Sequence, residues 1–374
     1  MPESRFLQIH TLSGYTAALL NRDDSGLAKR LPYGDAFRTR ISSQCLKRHW
    51  RCAQDPHALH GIDGAVEAFR SRDLVTQKVV GPLRERFSNE VVAALEPEIQ
   101  MAVYGDKGTS KAGRQTLLFG APEITWISAE ASRLADQAGG SPDAAATAAK
   151  KWRGEFRANI RAMRENATLP AGLVSALFGR MVTSDPDANV TAPVHVAHAF
   201  TVHREEPEID YFTAVDDLAE DEPGADTIQD TELTSGLFYG YVVVDVPGLV
   251  DNLGANASLA GAVLHNFIYL IAEVSPGAKL GSTAPYGRAS FMLLEAGDRQ
   301  PRSLAEAFRT PCEPYVDPAV TALCGHLAAL DRIYATGEKR RHLCVEDVSV
   351  PESQPGSLAD LATWVQSLPG AGGS

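Results

Sequence analysis

PVHVAHAFTVH, residues 193–203, is the stretch on which the reading of this chain turns. It is short, apolar and rich in small and β-branched residues, which reads as a strand. Upstream, FLQIHTL (Phe6 to Leu12) reads as an opening strand. A polar stretch from Ser13 to about Phe37 then shows no clear period. Arg38 to Ile41 is briefly extended, and Ser42-Ser43 offers an N-cap for a helix through about Cys52, with Leu46 and Trp50 on its buried side. Downstream, GLFYGYVVVDV (Gly236 to Val246) is a second strong strand. Ser258 to Val274 is a helix with Leu259, Val263, Phe267 and Leu270 on one face, and ASFMLLEA (Ala289 to Ala296) is the last strand.

The order is β-α-β-β-α-β, that of a ferredoxin-like or RRM-like sheet, so the expected class is α+β. The sheet unit is split: residues 1–54 carry its first half, 190–203 and 234–296 its second. Residues 55–189 carry helical signal and read as one large inserted domain, with helix starts at Pro122-Glu123 and Ser141-Pro142-Asp143. Residues 204–233 form an acidic excursion, and 297–374 a helical extension with helices at Asp317 to Thr336 and Ser357 to Leu368 and a short strand near Arg341 to Val345.

The chain has 374 residues, five cysteines and a formal charge of −12. The cysteines are odd in number and scattered, no signal-like stretch opens the chain, and the apolar runs are too short for a bilayer. The expectation is a cytoplasmic protein with no membrane role. The negative charge argues against a polyanion partner only until it is located. Twelve acids and no Lys or Arg lie between Glu205 and Glu232, so the remainder is formally neutral and free to carry basic patches.

Two such patches stand out. Arg38, Arg40, Lys47, Arg48 and Arg51 fall within fourteen residues that hold no acid, and Lys47 and Arg51 are one helical turn apart beside the Ser42-Ser43 cap. Lys150, Arg153, Arg157, Arg161 and Arg164 step by three or four along one helix, next to an apolar face of Trp152, Phe156, Ile160 and Met163. Both patterns suit rows of phosphates; a solvated basic face is the bland alternative.

Metal and nucleophile signals are weaker. Cys45, His49 and Cys52 suggest zinc by residue type, but Cys45 and Cys52 are about 10 Å apart along a helix, too far to share one ion. His195, His198 and His203 lie along one strand without a nucleophile motif, and read as structural histidines. Asp23, Asp24, Asp35, Asp216 and Asp217 are carboxylates that could hold a divalent ion. Their alternatives are an Asx-turn loop for the first pair and a solvated acidic lobe for the last. No cofactor is expected.

Several separated stretches resemble, in order, the CasC family of type I-E CRISPR systems, a branch of the RAMP superfamily. They are FLQIHTL, LNRDD, RISSQCLKR (40–48), FGRMVTS (178–184), VHVAHAFTVH, DYFTAVDDL (210–218), SGLFYGYV (235–242) and SPGAK (275–279). The resemblance implies an RRM-like palm, helical fingers from the insertion and a thumb from residues 204–233. Copies would stack head to tail along a CRISPR guide RNA, with target DNA and other Cascade subunits as further partners and no catalysis. It implies backbone contacts from Arg22, Lys29, Arg38, Arg40, Ser42, Gln44, Lys47, Arg48 and Arg51, with Met181, Phe212 and Thr213 near displaced bases. Lys150, Arg153, Arg157 and Arg161 would meet target DNA. One departure is that the chain reads Leu280-Gly281 after Lys279, where members of the family it resembles can carry polar or basic side chains. The rival reading is a RAMP-type metal-dependent endoribonuclease, with Asp23, Asp24 or Asp35 as its loop carboxylate.

Overall fold

The computed structural model describes residues 4–182, 185–215 and 225–370, with side chains omitted for 213–215 and 225–229. The chain opens with β1 (Phe6–Ala18), a hairpin of β2 (Arg30–Tyr33) and β3 (Ala36–Ile41), and α1 (Ser43–Cys52). Next come β4 (Ala68–Ser71), α2 (Gly81–Leu83), α3 (Asn89–Tyr104), β5 (Leu117–Gly120), α4 (Ala121–Gln137), α5 (Pro142–Asn166) and α6 (Leu173–Phe178). Then follow β6 (Val194–Val196), β7 (Ala199–Thr201), β8 (Pro207–Val215), β9 (Ala225–Asp245), α7 (Val246–Asn252), α8 (Ala257–Glu273) and α9 (Leu280–Thr283). β10 (Ala289–Gly297), α10 (Val316–Tyr334), β11 (Lys339–Cys344), β12 (Ser353–Pro355) and α11 (Leu358–Ser367) complete it. The result is a mixed α and β chain, as the sequence pattern implies.

The chain forms two compact units, residues 1–59, 194–247 and 260–374 in the first, and 60–193 with 248–259 in the second. The first is built on one sheet of order β12-β11-β10-β1-β9-β7-β3-β2, with β6 and β8 also paired to β9. β1 lies at its centre, antiparallel to β9 on one side and β10 on the other. Strand alternation assigns its residues to two faces. Ile9, with Phe238 and Val242 of β9, meets Leu46 and Trp50 of α1 and Ile271 of α8. Trp50 packs edge-on to Phe267 at 5.4 Å. On the other face Leu12, Tyr239, Phe291 and Leu293 pack against Leu304, Phe308, Val320, Leu323 and Leu327 of the C-terminal extension. Both faces are therefore covered, each large apolar side chain contributing about 1.5–3 kcal/mol by burial.

Three sequence expectations change. The opening strand runs on to Ala18, because Ser13 to Tyr15 and Ala18 pair with β9 from Phe238 to Thr234, and that ladder compensates for their polarity. The stretch read as having no period holds the β2–β3 hairpin as well. Residues 193–203 form two short strands, interrupted at Ala197-His198, that both pair with β9. The acidic excursion is itself largely a hairpin, with β8 paired along the first half of the 21-residue β9. Asp216 and Asp217 lie outside the described residues.

The second unit is a helical core of Leu95, Ile99 and Val103 from α3, Ile127 and Leu134 from α4, and Trp152, Phe156 and Ile160 from α5. Ser141 caps α5 through the Ala144 N–H (3.3 Å). Glu123, expected to lie at a helix start as a dipole partner, is fully buried: it accepts the Gly120 N–H and pairs with Arg164 and Arg180, each at 2.6 Å. No single helix among the described residues is long and apolar enough to cross a membrane; α7 and α8 pass that test together but are bent by 118°.

A buried ionic network fixes the extension to the sheet. Glu295 of β10, at 0% exposure, receives both Arg302 nitrogens (2.7 and 2.8 Å), Arg340 Nε (2.7 Å) and His10 Nε2 (3.1 Å). Arg340 in turn grips Asp331 of α10 with two bonds of 2.6 Å. Because a carboxylate only accepts, His10 carries its proton on Nε2, and its Nδ1 accepts from the Tyr239 hydroxyl (2.9 Å). Burial alone would raise the Glu295 pKa; the hydrogen bonds from Arg302 and His10 outweigh it and hold the carboxyl far below its ordinary 4.5. For His10 burial acts in the opposite sense, keeping its pKa below the usual histidine value and the ring neutral.

A folded-state carboxyl pKa below the unfolded one contributes stability that is complete above the unfolded value and is lost as pH falls toward the folded value. Glu295→Gln is therefore expected to cost about 3–5 kcal/mol at pH 7, since two guanidinium groups lose their counterion. It should also remove part of the stability loss that wild type shows below pH 4.5. Urea unfolding at pH 7 and pH 3.5 measures both; a variant as stable as wild type at pH 7 refutes the assignment.

Candidate nucleic-acid interface

The N-terminus of α1 organises a surface of the first unit. Ser42, as expected, is the N-cap, its hydroxyl accepting the Cys45 N–H (3.3 Å). Its own N–H donates to Asn21 Oδ1 (2.9 Å), which docks the loop after β1 onto the helix start. Within that loop one Asp23 oxygen accepts the N–H groups of Ser25 (2.9 Å) and Leu27 (3.1 Å), the Asx turn anticipated from sequence. The Lys29 N–H donates to Asn21 O (3.0 Å), and Arg40 N–H to Lys29 O (2.7 Å). The SPGAK segment joins the same place: Ala278 N–H donates to Leu19 O (2.8 Å), and Gly277 N–H to His49 Nε2 (3.4 Å). His49 Nδ1–H meanwhile donates to Cys45 O (2.8 Å), so this histidine is a structural brace.

The basic residues expected at this surface separate into classes. Arg22 and Arg48 are exposed, Lys29, Arg40 and Arg51 half-buried, and none has a carboxylate partner among the described residues. Gln44 is exposed one residue into the helix. Lys47 is half-buried, which lowers its pKa. Arg38 does not belong with them. It is 0% exposed and donates to the carbonyls of Thr201 (3.0 Å), Phe308 (2.8 Å) and Arg309 (3.4 Å). Its charge is spent inside the fold, tying β3 to the C-terminal extension, and no phosphate reaches it.

Arg30, which the sequence did not single out, pairs with Glu205 (2.6 Å) and with buried Glu232, whose other oxygen accepts the Ala28 N–H (3.1 Å). Two acids of the excursion thus anchor the loop to the hairpin base. Lys279 Nζ donates to Thr231 Oγ1 (2.5 Å) and lies 5.1 Å from the Phe212 ring centre, which holds that half-exposed ring against the SPGAK segment. Ile209 and Tyr211 of the same strand are exposed. The Thr213 side chain lies outside the described residues. Leu280, at the point of departure from the family pattern, is exposed.

The sequence pattern implies that His198, like His203, is structural. His203 is so: Nδ1–H donates to Arg204 O (2.7 Å), and Nε2 accepts the Leu237 N–H (3.3 Å). His198 instead sits, exposed, in the gap between β6 and β7, and its Nδ1 accepts the Ser43 N–H (3.1 Å) and an Arg40 N–H (3.3 Å). The sequence carried one signal for this, the Ala-His-Ala interruption of an otherwise apolar run.

In the second unit α5 presents its cations unequally. Arg153 pairs with Glu98 (3.2 Å) and Arg161 with Asp187, while Arg164 is committed to Glu123 and Asp185 (2.6 Å each). Lys150 and Arg157 are exposed, with no ion pair among the described residues. Met181 is 71% exposed between buried Arg180 and Val182. Arg180 exchanges backbone bonds with Val190 (2.9 Å each), and the Val182 N–H reaches Asn189 Oδ1 (2.7 Å), so the thioether is held outward by its neighbours. Among the described residues no group of three or more His, Cys, Asp or Glu could hold a metal ion.

The family described as CT1975-like protein matches residues 7–367. The chain belongs to that family. The CT1975-like chain is also similar to a solved chain titled "CRISPR RNA-guided surveillance complex, pre-nicking", at 26% identity and a TM-score of 0.79, covering 97% of this chain and 100% of that one. A second, titled "CRISPR RNA-guided surveillance complex", shares the fold at 21% identity and a TM-score of 0.59, covering 96% and 98%. No curated protein sequence matches.

For this CT1975-like chain, the division between Arg38 and its neighbours is directly measurable. Arg38→Met strips donors from buried carbonyls and is expected to cost about 2–5 kcal/mol, whereas Arg48→Ala should stay within about 0.5 kcal/mol of wild type. Urea unfolding of the two variants checks this; equal stabilities would mean that Arg38 is a surface residue after all.

Proposed function

We propose that this chain is a CRISPR RNA-binding backbone subunit of a type I-E, CasC-like Cascade complex, repeated head to tail along the guide. The observation that carries the reading is the surface around the start of α1. In an acid-rich protein, Arg22, Lys29, Arg40, Arg48 and Arg51 lack carboxylate partners among the described residues, and most are braced by backbone bonds. Cations left unpaired on a fixed surface are suited to a polyanion, because binding releases its counterions. The strand order β10-β1-β9-β7 supports an RRM-like palm, with edge strands added on both sides. Its faces are covered, so the guide backbone is taken to follow the cationic loop and helix rather than stack its bases across the sheet.

In this reading the β8–β9 hairpin is the thumb. Phe212 and Met181 are apolar contacts for displaced bases, and α5 of the fingers offers Lys150 and Arg157 to incoming target DNA. Arg153 and Arg161 contribute less, being already paired. The guide supplies specificity by base pairing, and the subunit supplies sequence-independent contacts. The chain is taken to act in the cytoplasm, among copies of itself and other Cascade subunits, without performing chemistry.

Co-expression with a CRISPR array tests the reading: the protein should copurify with ribonuclease-sensitive RNA, and should leave complementary RNA intact in magnesium. Cleavage at regular intervals would establish the endoribonuclease instead, and nucleic-acid-free protein would overturn both. The two surfaces should separate by salt. Changing Lys29 and Arg48 to Ala should lower the salt slope of RNA binding by about 0.7 for each phosphate that is no longer neutralised. Changing Lys150 and Arg157 to Ala should spare guide retention and weaken duplex capture. Loss of guide RNA from the second variant as complete as from the first would show that there is one surface, not two.

A further inference from the structure

His198 lies in the break between β6 and β7, which both pair with β9, and reaches the start of α1. Two groups that can only donate converge on its Nδ1: the Ser43 backbone N–H at 3.1 Å and Arg40 Nη1 at 3.3 Å. Nδ1 must therefore be the unprotonated acceptor. The ring proton resides on Nε2, which has no partner among the described residues, on an exposed ring. Protonating Nδ1 would break two hydrogen bonds and set a third positive charge beside Arg40 and Lys29. In keeping with that, burial first, then the charges of Arg40 and Lys29, hold the pKa of this histidine below its ordinary value. The ring is thus fixed in one tautomer, neutral, with an oriented N–H beside cations that have no counterion.

We propose that His198 is a further RNA-contacting residue, acting as a neutral donor through Nε2–H to an oxygen of the guide backbone. This rests on the guide-binding reading of the same surface. It makes a distinction that cations do not: a neutral donor contributes affinity but releases no counterion. Arg40 and Lys29 set the salt dependence, whereas His198 adds a directional bond to an acceptor oxygen, from phosphate or ribose.

The test measures binding of a mixed-sequence single-stranded RNA to the full chain across a salt series. His198→Ala should weaken binding about three- to tenfold, by the same factor at every salt concentration, so the plot of log K against log salt shifts without changing slope. Arg40→Ala should weaken binding and flatten the slope by about 0.7. Two conservative variants separate donation from positioning. Gln places an amide N–H near the ring Nε2 and should restore most of the affinity. Asn restores an acceptor near Nδ1 for Ser43 and Arg40 and should not. Full rescue by Asn but not Gln would make His198 a positioning residue, and a changed slope in the Ala variant would make it a cation; either overturns the proposal. Unchanged affinity in the Ala variant overturns it also. Should Ala destabilise the fold, the Gln and Asn pair decides. A wild-type chain that binds no RNA would fail at the earlier step, refuting the guide-binding reading itself.

Discussion

A carboxylate taken wholly out of water must be matched by charge, and Glu295 is matched by Arg302 and Arg340, with a further hydrogen bond from the neutral His10. That match fixes where the C-terminal extension meets the sheet. The network spans β1, β10, β11 and, through Asp331, α10, so the extension is clamped to the sheet by directional bonds as well as by Phe308, Leu323 and Leu327. Losing one partner strands a buried charge, while the paired set costs little. This geometry gives the extension a single seat on the sheet face opposite α1 and α8. It also explains Arg38, since the carbonyls of Phe308 and Arg309 that hold its guanidinium exist only where the extension is seated.

Charge is segregated over short distances. Glu205 and Glu232, from the most acidic stretch of the chain, neutralise Arg30 but leave Lys29 and Arg40 unmatched on the neighbouring surface. The net charge of −12 is thus a poor guide to what the protein meets locally. Bracing matters as much as sign. The loop after β1 is bound to α1 through Asn21 and Ser42, the SPGAK segment is bound to α1 through His49, and Lys279 is bound to the hairpin through Thr231. Side chains mounted on such a frame lose less entropy on meeting a ligand than those of a free loop.

The order of β1, α1, β9, α8 and β10, the caps at Ser42 and Ser141, and the buried face of α5 are legible because each depends on local spacing. What was not legible depends on partners far along the chain. Arg38 and Arg40 are two apart on one strand and identical in type, yet one is buried by a segment 270 residues away and the other lies at the surface. Glu123 does sit in the first turn of α4, as its position implies, but nothing local shows that it is also the buried counterion of Arg164 and Arg180. His198 and His203 belong to one apolar run, but the strand breaks at the first, turning it toward α1. Ser13 to Ala18 lacks the alternation of a strand and is held as one by its ladder to β9.

β9 is a single strand shared between two roles. Its first half pairs with β8 in the exposed hairpin, and its second half lies inside the sheet beside β1, with the pairing running from Phe6–Asp245 to Ala18–Thr234. Ladder bonds lie across the strand direction. A pull along the hairpin axis is therefore carried into the sheet as shear, loading many bonds at once instead of opening them singly. The hairpin is thus rooted in the core of the protein through one continuous strand.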